Sequence, residues 1–62
     1  MGVASGEIRR IIDHLVQERQ QLRATGGESA ALNANRLALA YWQLELSRTL
    51  AREALSLRVQ PA

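Results

Sequence analysis

One glycine pair governs what this chain can fold into. Gly26 and Gly27, inside ATGGES, are the only glycines or prolines between Gly6 and Pro61. Two residues that tolerate left-handed backbone end a helix readily, and Ser29 just beyond them is placed to cap another. On both sides the apolar residues recur at helical spacing, so the sequence predicts two helices joined by one turn. The first helix spans about residues 5–24, the turn 25–28, the second helix about 29–58 and a short tail 59–62. Ser5 is the expected cap of the first helix, Glu7 suits the positive end of its dipole, and residues 1–4 are expected to fray. So short a connection favours antiparallel neighbours. The expected fold is all-α, a two-helix antiparallel hairpin forming a single domain over residues 1–62.

The two helices are unequal, and that has consequences. Ile8, Ile11, Ile12, Leu15 and Leu22 make one apolar stripe on the first helix, with Val16 at its edge. Arg9, Arg10, Asp13, Gln17, Gln20 and Gln21 take the opposite side. Folding about the glycines brings Leu22 near Leu32, Leu15 near Leu39 and Ile8 near Leu46, so these stripes form the expected intrachain core. The first helix is then used up. Leu50, Leu55, Leu57 and Val59 are expected to project beyond it, an overhang of roughly 15 Å at ~1.5 Å per residue. Burying each would contribute on the order of 1.5–3 kcal/mol, so leaving them in water makes a sticky end.

The second helix also has more apolar surface than one neighbour can use. Leu32, Leu39, Leu46, Leu50 and Leu57 form one stripe, while Leu37, Leu44 and Leu55 form another about 140° around. Between the stripes runs a line of small residues, Asn33, Ala40, Ser47 and Ala54, with Ala51 beside it. Small residues flanked by leucines let two helices approach closely. Leu37, Ala40, Leu44, Ser47, Leu50, Ala51, Ala54, Leu55 and Leu57 are therefore the expected interface with a partner. A second copy is the favoured partner, because a two-fold dimer is the commonest assembly and completes a four-helix bundle. The other reading docks this face on a larger protein, as a small subunit or antitoxin-like partner.

Sixty-two residues without a cysteine leave no disulfide to staple a small core and no thiolate metal site. A reducing cytoplasm is the expected setting. The amino end lacks the apolar run of a signal peptide, Gly6 stands where a myristoylation pattern needs Ser or Thr, and no segment reaches the ~20 apolar residues of a membrane span. All eight basic residues are arginine, yet the net charge is only +2, a weak signal for nucleic acid. Arginine without lysine, beside abundant alanine and leucine, fits GC-rich coding.

Nothing in the sequence assembles a reaction centre. His14 is the single histidine, with Glu18 one turn on, short of the three or four ligands of a zinc site. Ser47 and Ser56 have no histidine within helical reach, and TGGES lacks the lysine and glycine spacing of a phosphate-binding loop. Asp13, Glu18, Glu28, Glu45 and Glu53 are dispersed and mostly neighbour arginines. The sequence therefore predicts no enzyme, no cofactor and no metal.

Four residues stand out as a candidate binding surface. Arg19 and Arg36 fall inside apolar stripes, where they would snorkel at the bundle edge or a Glu18–Arg36 pair would fix the hairpin register, and a groove for an anionic partner is the functional alternative. Gln43, in the first leucine stripe, is a register-setting polar residue of the same kind. Tyr41 and Trp42 are the only aromatics and belong to the residue types most enriched in binding hot spots.

A dimer of helical hairpins resembles the Rop-type RNA-binding bundle in architecture, with no residue motif carried over. That resemblance implies, as the alternative function, a nucleic-acid-binding regulator. Arg9, Arg10, Arg23 and Arg48 would then be its phosphate contacts, with steep salt dependence. The favoured function is a non-catalytic interaction or scaffold module acting as a homodimer.

Overall fold

A computed structural model describes residues 4–59, the side chains of Arg58 and Val59 excepted. Residues 1–3, the tail with Pro61 and the Val59 side chain of the expected overhang lie outside the described residues. The chain is all-helical: α1 (Ser5–Ala24) and α2 (Ser29–Val59) pack together as a hairpin 54 Å long and 15 Å across in the other two directions.

The turn is closed by backbone chemistry that glycine permits. Gly26 takes φ +68°, and Gly27 N–H returns to the Leu22 carbonyl at 2.6 Å while Gly26 N–H reaches Arg23 at 3.4 Å. These are the two bonds of a Schellman helix end, which satisfy carbonyls that α1 leaves without partners. Thr25 Oγ1 donates to the Gln21 carbonyl at 2.9 Å and tightens the same turn.

Neither serine caps its own helix. The cap position of α1 is Ala4, in extended backbone with no side-chain bond, and Ser5 is the first helical residue. The cap comes from the other helix: Ser5 N–H donates to Glu53 Oε2 at 3.2 Å and Ser5 Oγ to Glu53 Oε1 at 2.9 Å. A carboxylate suits this place because the first amides of a helix lack acceptors and carry the positive end of its dipole. Ser29 likewise lies inside α2, whose first turn closes from Leu32 N–H to the Glu28 carbonyl at 3.1 Å.

Glu53 also corrects the expected overhang. Because it stands level with Ser5, α1 runs alongside α2 as far as residue 53, and Leu50 lies within that span. The unaccompanied end of α2 is residues 54–59, about 9 Å at ~1.5 Å per residue.

The seam between the helices is more polar than the leucine pattern suggests. Among the described residues the fully buried side chains are Ile8, 1% exposed, Asn35, 2%, and Thr49, 5%. Ile11, Ile12, Leu15, Leu22, Leu32, Leu39 and Leu46 are partly buried. Asn35, Trp42 and Thr49 follow each other at seven-residue spacing and define the line of α2 that faces α1. That line is rotated by about 60° from the expected leucine stripe, at 100° per residue. Asn35 holds it there, donating from Nδ2 to the Leu15 carbonyl at 2.9 Å and to Glu18 Oε1 at 3.1 Å. The expected Glu18–Arg36 pair is replaced by this bond, and Arg36 Nη2 turns to Asn33 Oδ1 at 2.9 Å.

Candidate interaction surface

Rotation of the seam leaves the back of α2 bare. Leu37, Tyr41, Leu44, Arg48, Ala51 and Leu55 are spaced by four, three, four, three and four residues, which keeps them on one line about 27 Å long. This line lies about 140° around the helix from Asn35, Trp42 and Thr49, so α1 cannot reach it. Leu37, Tyr41, Leu44 and Leu55 are each more than half exposed. Ala40, Ser47, Ala51 and Ala54, beside and among them, are exposed as well. Leu50 and Leu57 are exposed but point to the α1 side of α2, Leu57 beyond the end of α1 at 74% exposure.

The amount of exposed surface follows the shape of the hairpin. The chain exposes 5049 Å², whereas a compact monomer of its 6.9 kDa mass exposes about 4,000 Å². A rod 54 Å long and 15 Å across has more surface than a compact body of equal mass, and this shape goes with the excess of about 1,000 Å². Nor does the hairpin hold a large core of its own, since Ile8 is its one fully buried apolar side chain among the described residues.

The aromatic neighbours divide between two roles. Trp42 is partly buried on the seam, and Tyr41 stands exposed on the back of α2. Their rings meet edge to face, centroids 5.1 Å apart at 86°, so Trp42 steadies the exposed Tyr41 ring. Arg48, in the middle of the apolar line, is held by Glu45 at 3.5 Å, the one ion pair among the described residues.

The remaining candidates fall into smaller sites. Arg19 and Arg36 line one shallow depression of about 280 Å³ together with Ser29, Leu32 and Asn33. Arg19 Nη1 is turned onto the Leu32 carbonyl at 3.4 Å. On the opposite flank a groove of about 470 Å³ has a floor of Ala31, Ala34 and Ala38, with Leu15, Leu22, Glu18 and Asn35 around it. Asn35 Oδ1 is buried there without a partner. The four arginines named as phosphate contacts do not converge: Arg9 and Arg23 share one flank of α1, Arg10 lies behind α1 and Arg48 behind α2. His14 and Asp13 are exposed on α1. Among the described residues no group of three His, Cys, Asp or Glu is placed to hold a metal ion, and no helix is long and apolar enough to cross a membrane.

The sequence pattern did not single out three residues that shape this surface. Asn35 and Thr49 are polar types that pattern reading assigns to solvent, though their seven-residue spacing with Trp42 was a usable signal. Glu53 reaches across 48 positions, and no local signal marks it. No protein-family model, no curated protein and no solved structure matches the chain.

Proposed function

We propose that the chain is a non-catalytic interaction module that works as a homodimer, with the back of α2 as its interface and four helices in the assembled pair. The observation that supports this reading is an apolar line more than half exposed, on a face its own hairpin cannot cover. The small core supports it too, because Ile8 is the one fully buried apolar side chain among the described residues. Pairing through this line puts the two α2 helices in the middle and the two α1 helices outside. The outer faces, with the Arg19–Arg36 depression, stay free for other molecules.

Sedimentation equilibrium over a wide concentration range, at low and high salt, tests the reading. The expected mass is twice the 6.9 kDa chain, with little salt dependence, since the face is apolar and screening acts on charges. A folded monomer at all concentrations overturns the self-interface and assigns the same leucines to a different protein.

A further inference from the structure

We infer that the two copies pair through antiparallel α2 helices, with a two-fold axis level with residue 46, so that Tyr41 of each copy seats beside Ala51 of the other. This orientation rests on the homodimer reading above and goes beyond it by fixing direction and register.

The exposed line runs from Leu37 to Leu55, and its midpoint is residue 46. In an antiparallel pair centred there, facing positions sum to 92, and the angular offsets of facing residues mirror one another at 100° per residue. Leu37 then meets Leu55 of the second copy, both on the centre of the line. Tyr41 meets Ala51, the largest side chain of the line against the smallest. Leu44 meets Arg48, whose aliphatic stem can lie over the leucine while its head stays with Glu45, 3.5 Å away within its own chain. The outer layer matches apolar to apolar, the next large to small, and the innermost sets a leucine under an arginine stem; each distinct layer occurs twice by symmetry.

The parallel arrangement fails on the same residues. It would set Arg48 directly against Arg48, whereas the antiparallel register staggers the two by four residues, about 6 Å along the axis. It would also stack Tyr41 on Tyr41 and leave Ala51 facing Ala51 across a gap. Antiparallel helix dipoles add a small preference in the same direction. The pairing also lays the unaccompanied end of α2 across the start of its neighbour's α2, covering Leu55.

Separately prepared Leu37→Cys and Leu55→Cys proteins, treated with a short thiol-to-thiol crosslinker alone and then mixed, read the orientation. Positions 37 and 37 of the pair are about 27 Å apart along the axis in the antiparallel form, at ~1.5 Å per residue, and adjacent in the parallel form. Crosslinks only in the mixture are expected; crosslinks within each protein alone overturn the inference. A Gln20→Cys spin label, on the outside of α1, repeats the test without touching the interface. Gln20 is level with residue 38 or earlier in α2, so the two labels are offset by about 24 Å or more along the axis in the antiparallel pair and by none in the parallel pair. The antiparallel distance therefore exceeds the width of the assembly that a parallel pair gives. Sedimentation of the same samples under reducing conditions keeps the two ideas apart. A dimeric mass with parallel readouts defeats the orientation alone, and a monomeric mass defeats the homodimer as well.

Discussion

The two faces of α2 invert the usual arrangement. The face against α1 carries Asn35, Trp42 and Thr49, two of them polar and almost completely buried, while the face away from it carries Leu37, Tyr41, Leu44 and Leu55 in the open. A buried amide is stabilising only when its donors are matched, and Asn35 Nδ2 meets two acceptors at 2.9 and 3.1 Å. Geometry fixes which end of the amide is nitrogen, because both neighbours, a carbonyl and a carboxylate, accept. The inner face thus specifies register through hydrogen bonds, and the outer face supplies the apolar area that so small a hairpin lacks. On the proposed homodimer reading, burial in this chain has two stages, folding and then association.

The strongest way to break the contrast is a charge on the outer face. Leu44→Asp removes two leucines from the assembled pair, one per copy, each worth about 1.5–3 kcal/mol when buried. Self-association should weaken by about 10²- to 10⁴-fold, since ~1.4 kcal/mol is a factor of ten. Sedimentation at matched concentrations checks this, and an unchanged dissociation constant would place the interface elsewhere.

The inner face is tested by one atom. Asn35→Asp replaces the Nδ2 donor with a second acceptor beside the Leu15 carbonyl and the Glu18 carboxylate, and buries a charge. Loss of about 3 kcal/mol or more of stability is expected, comparable with all that a small single core supplies. Urea titration followed by circular dichroism at constant protein concentration reads it. A loss below about 1 kcal/mol would mean that Asn35 does not hold the seam.

How much of this was legible in the sequence follows from how local each signal is. The glycine turn and the Ile8–Leu22 stripe were readable because each depends on neighbours within a few positions. The outer line was readable too, as leucines at helical spacing. The facing direction of α2 was not, because that helix is apolar on most of its circumference and the pattern alone leaves its rotation loose. Asn35 sets the rotation through a bond spanning 20 residues to Leu15. Glu53 caps α1 across a still longer gap, so Ser5 read as a cap when it is a capped residue.

Gly26→Ala sharpens the division between folding and association. At φ +68° a side chain is strained, by about 1–2 kcal/mol for a left-handed residue. Thermal unfolding at fixed concentration should shift down by that amount. The dissociation constant, measured well below the transition, should stay within a factor of two or three, because the turn lies far from the outer line. A large change in affinity would show that the turn helps to shape the interface.

The smallest effect belongs to the strap at the far end of the seam. Glu53 receives two bonds from Ser5, at 3.2 and 2.9 Å, one from the backbone amide and one from the hydroxyl. Both ends are solvent-accessible, so water replaces part of what is lost. Glu53→Ala should cost about 0.5–1 kcal/mol, in the lower range of helix-cap losses. Glu53→Gln keeps an acceptor for the amide but removes the charge facing the α1 dipole, a contribution of about 0.3–1 kcal/mol that salt screens. Rising salt should therefore bring the parent protein and Glu53→Gln together, with Glu53→Ala remaining below both. Hydrogen exchange at the first turn of α1 reads the same strap locally, and Glu53→Ala should speed it while leaving the Leu15–Asn35 region protected. If both regions exchanged faster to the same degree, the strap would belong to the cooperative core of the hairpin, and the polar seam would extend unbroken from Asn35 to Glu53.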